Sequence, residues 1–142
     1  MLEFLKKLFK TKSSAPKDAA IFDKIIMAKV LEVQKHPNAD RLRVIKVDAG
    51  DKIIGPIVCG AFNFDAGAMV VLALPGAKIA QDIHSADHQP FILEKAKIRG
   101  IESQGMICAA FELGLSKEPG QGILLLKDNI TPGSQFEVGM VK

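Results

Sequence analysis

Three basic side chains with alternating spacing are the residues of this sequence best suited to chemistry. Lys95, Lys97 and Arg99 occupy every second position of one short stretch. In an extended strand, side chains at this spacing leave the same face. Such a row suits a phosphate backbone, whose charges attract cations and whose oxygens accept hydrogen bonds. The alternative is the ordinary solvated face of a half-buried strand, which has the same pattern.

The neighbouring residues predict how this row is held. Ala96 and Ile98 alternate with the cations and are expected to point into a core. Two glycines, at 100 and 105, bracket residues 102–104 (Glu-Ser-Gln), which we interpret as a polar turn. The small apolar residues 106–110 then predict a buried return strand, so that residues 91–99 and 105–110 form a hairpin-like pair.

Length and composition favour one domain with a substantial core. The chain has 142 residues, of which 48% are hydrophobic, yet no stretch approaches the ~18–20 apolar residues of a membrane span. The N-terminus has neither the apolar core nor the cleavage site of a signal peptide, so we expect a cytoplasmic protein. Cys59 and Cys108 lie in apolar surroundings and predict reduced core thiols.

The net charge of +3 is unevenly distributed. Residues 1–20 contain five lysines against Glu3 and Asp18, which leaves fourteen basic and fourteen acidic side chains in residues 21–142. Nucleic-acid binding by the main domain must therefore depend on local clusters of cations.

The N-terminal segment is predicted to be separate from the main domain. Residues 1–10 place apolar side chains four apart among lysines, which is typical of a basic amphipathic helix. Such a helix would contact a partner, tRNA or an anionic membrane; a disordered tail is the alternative. Ser and Pro in residues 11–20 indicate a linker. We therefore divide the chain into residues 1–20, tail and linker, and residues 21–142, the folded domain.

The main domain is predicted to be all-β. Short apolar segments separated by turn residues predict strands over 25–33, 41–49, 53–59, 69–74 and 123–126. Residues 36–40 break the first two apart, since Pro37 cannot join a strand ladder. We expect a surface excursion at 79–90, one helical turn at 110–115, and a C-terminal segment, 131–142, trailing along the surface. The pattern favours a five-stranded OB-fold barrel with short C-terminal additions; an SH3-like barrel is the alternative.

Other candidate sites are weaker. His84 and His88 are four residues apart, beside Asp87. On a helix their two imidazole rings could bind one metal ion, but a surface loop explains these residues better. Phe62 and Phe64 have strand spacing and could stack on bases; we interpret them as core or cavity-lining groups. No nucleotide-binding glycine loop or nucleophile elbow is present. We predict no cofactor, no metal and no enzymatic activity.

Four motifs, in order, resemble the tRNA-binding domain found in the bacterial phenylalanine–tRNA ligase β subunit, in methionine–tRNA ligases and in stand-alone tRNA-binding proteins. They are residues 36–42 (HPNADRL), 57–63 (IVCGAFN), 74–77 (LPGA) and 97–108 (KIRGIESQGMIC). Residues 112–115 (ELGL) and 122–124 (GIL) resemble the phenylalanine ligase version specifically. The resemblance covers about residues 24–128.

This resemblance implies an OB barrel that holds tRNA by shape and backbone. It implies phosphate contacts for the cations, and hydrogen bonds from Ser103 and Gln104 flanked by Met106. The first inter-strand loop is where such barrels commonly bind; for Asn38 a turn-forming role is the alternative. The complete candidate set is Asn38, Arg41, Arg43, Lys95, Lys97, Arg99, Ser103, Gln104 and Met106.

Our leading hypothesis is therefore a tRNA-binding module, either free-standing or derived from a phenylalanine–tRNA ligase β subunit. The expected partners are tRNA and either a second copy of the chain or a synthetase subunit. The alternative is a protein–protein docking or dimerisation scaffold, with residues 1–10 as the contact. A small-molecule or enzymatic role for the segment around His84 and His88 is a third.

Overall fold

The structure is a computed structural model that describes residues 20–120 and 122–142. The predictions for residues 1–19 lie outside the described residues. The described part contains nine β-strands and a 3-10 helix at Val138–Met140. The strands are β1 (Ile25–Lys35), β2 (Arg43–Asp48), β3 (Ile53–Cys59), β4 (Met69–Ala73), β5 (Lys78–Ile79), β6 (Phe91–Ile92), β7 (Ala96–Ile98), β8 (Ile101–Ser103) and β9 (Met106–Ile107). The all-β prediction is confirmed.

Five strands form one antiparallel sheet in the order β3-β2-β1-β4-β9. The long β1 pairs with β4 through residues 25–29 and with β2 through residues 29–35. Its register to β2 shifts between Val30 and Glu32. Such a bulge bends a strand and increases its twist, so the sheet curls into a half-barrel. This architecture agrees with the predicted OB-like fold.

The curled sheet approaches closure where β3 meets the segment between β8 and β9. The backbone N–H of Gln104 donates to the carbonyl oxygen of Pro56 at 2.9 Å. The Ser103 hydroxyl accepts a hydrogen bond from the Val58 N–H and donates one to the Gly105 carbonyl. A side chain at Gly105 would begin 2.8 Å from the Ala73 carbonyl oxygen, so the close approach of β9 to β4 requires glycine.

The sheet is buried on both of its faces at β1 and β4. Alternate residues of β4 belong to two different clusters: Val70 and Leu72 fill the inside of the curl, whereas Val71 and Ala73 face a second layer. This explains why β4 has an unbroken apolar sequence instead of alternating apolar and polar residues. No helix in residues 20–120 and 122–142 is long and apolar enough to cross a membrane.

The second layer includes the C-terminal segment, and the prediction that residues 131–142 trail along the surface is wrong. Phe136 is completely buried and packs edge-on against Phe22, with ring centroids 4.9 Å apart. Gln135 bridges to Ile26, and Val141 bridges to Leu126. The segment is required because it covers the outer apolar face of β1 and β4.

The predicted hairpin is also wrong in its pairing. β7 pairs with β8, and β9 pairs with β4. The turn is formed by Arg99 and Gly100, and residues 102–104 are not a free polar turn because Ser103 is buried in β8. Ala96 points away from Lys97 as expected, but it is exposed; Ile98 is half-buried.

Three smaller predictions are refined. The excursion at residues 79–90 is bounded by the short β5–β6 pair. Residues 110–115 form hydrogen-bonded turns that end at Gly114, whose φ is +77°. The predicted strand at residues 123–126 is reduced to isolated bridges, Val70 to Leu125 and Leu126 to Val141.

Candidate nucleic-acid interface

A buried histidine fastens the first inter-strand loop (residues 36–42) to the turn between β7 and β8. His36 is 1% exposed. Its Nδ1 accepts a hydrogen bond from the Asn38 N–H at 3.0 Å. The ring proton therefore belongs on Nε2, which donates to the Ile98 carbonyl oxygen at 3.1 Å. The sequence analysis missed this role, since the adjacent proline indicates only a loop.

A second bond joins the same two segments. The Asn38 side chain donates from Nδ2 to the Arg99 carbonyl oxygen at 3.2 Å. Arg99 and Gly100 both have positive φ, +53° and +93°, as the tight two-residue turns of β-hairpins require. Arg99 therefore leaves the chain from a turn and not from a strand, and the three alternating cations do not form one row on one strand.

The basic surface comprises Arg41 in the loop, Lys97 on β7 and Arg99 in the turn, and all three are exposed. In the part of the chain that the structure describes, none of these three has a carboxylate oxygen within ion-pair distance. Lys97 lies directly opposite Glu102 in the β7–β8 pair, so a negative charge is close to it without a bond being formed. The cations are available to an anionic ligand.

Two other predicted residues lie together at a different position. Lys95 precedes β7, and it lines an open cavity of about 350 Å³ together with Gln104 and Lys52. The sequence analysis did not single out Lys52, because it stands alone in a turn far from the other cations. Lys95 and Lys52 are therefore placed to hold a second anionic group, separate from the basic surface.

Ser103 has a structural role that its position in the sequence did not reveal. It is 4% exposed, and its hydroxyl is occupied by the two bonds that close the sheet. Met106 is half-buried and lines a cavity on the neighbouring surface.

Arg43 is held inside the fold. Its guanidinium donates to the carbonyl oxygens of Ala61 and Phe64 at 2.9 and 2.8 Å and contacts Asp65 at 3.1 Å. It also lies 4.8 and 4.6 Å from the ring centroids of Phe62 and Phe64. Phe64 is buried as predicted, whereas Phe62 is 58% exposed. The buried Arg43 therefore holds the loop that follows β3 in place through these hydrogen bonds.

The remaining candidate chemistry does not assemble into a site. The His88 ring bonds to the Asp82 carbonyl oxygen and packs edge-on against Phe111. Among residues 20–120 and 122–142, no group of three or more His, Cys, Asp or Glu side chains is arranged to hold a metal. Burial raises the pKa of the Cys59 thiol and, more strongly, that of Cys108, so these thiols are poor nucleophiles.

The fold and this surface define a small OB-like domain with an exposed basic patch. Residues 25–135 match a family model described as a putative tRNA binding domain. The chain belongs to that family.

Its curated relatives include phenylalanine–tRNA ligase β subunits. The chain is 46% identical over 115 residues to the one from Dechloromonas aromatica, which covers 81% of this chain and 13% of the relative. It is 47% identical over 108 residues to the one from Wolinella succinogenes, a match that covers 76% of this chain and 12% of that relative. The chain therefore spans about an eighth of the length of these relatives.

Solved structures share the fold. A MetRS related protein from Pyrococcus horikoshii superposes with a TM-score of 0.58 at 18% identity, covering 84% of this chain and 94% of that one. The C-terminal domain of Plasmodium vivax p43 superposes with a TM-score of 0.52 at 24% identity, covering 81% and 59%.

Proposed function

We propose that this chain is a tRNA-binding module that holds the tRNA backbone with the basic surface. The observation that carries the proposal is the bond from Asn38 to Arg99. It fixes the loop that contains Arg41 against the turn that contains Arg99, so that separate cations act together. Family membership supplies the class of ligand. The exposed guanidinium and ammonium groups, which have no ion-pair partner within residues 20–120 and 122–142, supply the means of binding it.

The chemistry favours recognition of the backbone over recognition of bases. Arginine forms paired hydrogen bonds with phosphate oxygens, and lysine supplies a point charge. Structured RNA is recognised mostly by its shape, phosphates and 2′-hydroxyls. In this proposal, a second phosphate of the RNA is contacted by Lys95, Gln104 and Lys52. We leave Arg43 and Ser103 out of the contacts and assign them to support of the fold.

The proposed binding is moderate and sensitive to salt. Residues 21–142 carry equal numbers of basic and acidic side chains, so only the local cluster attracts RNA. The three cations of the basic surface and the contact by Lys95 and Lys52 make about four phosphate contacts, which correspond to a slope of roughly −3 to −4 in a plot of log K against log salt. We propose a binding role in the cytoplasm, without catalysis by these residues, either alone, as a dimer or beside a synthetase subunit.

The test is a filter-binding titration of bulk tRNA, duplex RNA and single-stranded DNA across a salt series. The wild-type chain is compared with a Lys97→Ala, Arg99→Ala double variant. A Lys127→Ala, Lys142→Ala variant is the control, because it removes the same charge from exposed C-terminal positions. We expect the first variant to lose at least about tenfold in tRNA affinity and about 1.5 in the salt slope.

The control should lose far less affinity than the first variant. Equal losses in the two variants would indicate attraction by overall charge instead of a site. Unchanged tRNA affinity in the Lys97, Arg99 variant would rule out the proposed surface. Absence of tRNA binding by the wild-type chain at low salt would rule out the function.

A further inference from the structure

A second cavity, of about 440 Å³, opens next to the basic surface and is not used by the backbone contacts. Leu42, the neighbour of Arg41, lines one side. Ile98, between Lys97 and Arg99, lines another. The excursion between β5 and β6 contributes Ile83 and His84 to the wall. A ligand whose phosphates contact the basic surface would therefore have this opening beside it.

The cavity is mostly apolar but contains one buried carboxyl group. Its walls include Val58, Met106 and Ile107. Glu112, which is 8% exposed, also lines it. Glu112 Oε1 accepts a hydrogen bond from the Ala109 N–H at 2.8 Å. Among the described residues, no hydrogen bond is made by Oε2.

The apolar walls favour a ligand that supplies a hydrogen-bond donor to this carboxylate. Burial raises the pKa of Glu112, although the Ala109 N–H counteracts this. The volume lies in the range of small-molecule sites, and apolar walls with a few polar groups are typical of them. A flat ring with an N–H group at its edge fits the apolar walls and the carboxylate together. The walls would contact the faces of the ring, and Glu112 Oε2 would accept a hydrogen bond from the N–H group.

We propose that this cavity receives one unstacked nucleobase of the bound RNA, and that Glu112 Oε2 accepts a hydrogen bond from the exocyclic amino group of that base. The inference rests on the proposed function, because the basic surface supplies the contact to the adjoining phosphates. Single-stranded positions of RNA are read in this way, by hydrogen bonds to base edges. The Met106 thioether suits contact with the ring.

This arrangement discriminates between bases by the group that each base presents to Glu112 Oε2. Adenine and cytosine present an amino group where hypoxanthine and uracil present a carbonyl oxygen. A carbonyl oxygen facing Glu112 Oε2 leaves two acceptors opposed. We therefore expect the amino base to bind about tenfold more tightly than its oxo counterpart, as is usual for a hydrogen bond to a charged group.

The experiment is a titration of the full chain with CMP, UMP, AMP and IMP, observed through the NMR signals of the methionine methyl groups. Met106 reports on the cavity, and Met27, which is buried and does not line the cavity, is the internal control. We expect CMP and AMP to shift the Met106 signal at about tenfold lower concentration than UMP and IMP, with Met27 unaffected.

A Glu112→Gln variant tests the proposed acceptor. The glutamine oxygen can keep the bond to the Ala109 N–H, which turns an N–H donor toward the cavity. The preference for CMP over UMP should then disappear or reverse. An unchanged preference in a folded variant would overturn the role of Glu112, and equal or absent Met106 shifts with all four nucleotides in the wild-type chain would overturn the base site without needing the variant.

The same samples are titrated with tRNA, which separates the two proposals. Binding of tRNA without discrimination among the mononucleotides refutes the base site and leaves the backbone surface standing. Failure of tRNA binding at low salt refutes the proposed function, whatever the mononucleotides show.

Discussion

The amide Nδ2 of Asn38 donates a hydrogen bond to the backbone carbonyl oxygen of Arg99, across 61 residues of sequence. The acceptor belongs to the turn and the donor to the loop between β1 and β2. Together with the His36 bond to Ile98, it makes the loop and the turn one rigid surface. The position of Arg41 relative to Arg99 depends on these two bonds.

Removal of the Asn38 amide should therefore weaken RNA binding more than it weakens the fold. An exposed hydrogen bond of this kind contributes about 1 kcal/mol or less to stability. We expect Asn38→Ala to lower tRNA affinity severalfold while the free energy of unfolding falls by no more than about 1 kcal/mol. Filter binding and urea denaturation measure the two quantities, with exposed Asn129→Ala as the control. A large fall in stability at unchanged affinity would contradict this prediction.

Gly100 is the residue of the turn at which a side chain is least acceptable. Its φ of +93° lies in a region that other residues rarely adopt, although its Cβ position is spacious, 3.5 Å from Asn38 Nδ2. We expect Gly100→Ala to cost about 1–2 kcal/mol of unfolding free energy and to reduce tRNA affinity by displacing Arg99. Gly139→Ala is the matched control, since an added Cβ there meets nothing within 4 Å. Equal melting temperatures for the two variants would refute the prediction.

Arg41 and Arg43 are two residues apart in sequence but should respond differently to substitution. Arg43→Lys keeps the charge but loses the fork that reaches two carbonyl oxygens between two aromatic rings. We expect a loss of about 2 kcal/mol in stability. Arg41→Ala should leave stability unchanged and lower tRNA affinity severalfold. Thermal melts and binding titrations of both variants test this, and the reverse assignment of the two effects would show that Arg43 is the RNA contact.

Glu112 should make stability depend on pH in a defined direction. Burial raises its pKa in the folded protein above the ordinary value of 4.5. The folded state then binds the proton more tightly than the unfolded state does, so this residue's contribution to stability falls as pH rises from about 4.5 through the raised pKa. Glu112→Gln should remove that part of the dependence.

The measurement is the difference in unfolding free energy between Glu112→Gln and wild type across this pH range. The difference should move in favour of the variant as pH rises. A difference that is constant with pH would show that Glu112 has the same proton affinity in both states.

Local patterns in the sequence were sufficient for the all-β class and most of the main strands, because turn residues and alternation act over a few neighbours. The strand pattern left an SH3-like barrel as the alternative, and the motif resemblance selected the OB-like fold. β3 agrees with its predicted bounds, 53–59. β4, predicted over 69–74, has an unbroken apolar sequence and is almost completely buried. The same pattern contained a further signal, since a strand apolar on both faces needs a second cover. That cover is the C-terminal segment with Phe136, which sequence analysis assigned to the surface.

The candidate site was determined less completely, because a residue type does not specify its partner. The sequence identified Lys97 and Arg99 as cations and motif resemblance added Asn38 and Arg41, but only the tertiary structure joined the loop to the turn. It also separated Arg43, whose guanidinium is enclosed, from Arg41, which is exposed. The physical reason is that hydrogen bonds and burial at these positions link segments about 20 to 60 residues apart, and no local pattern encodes such pairings.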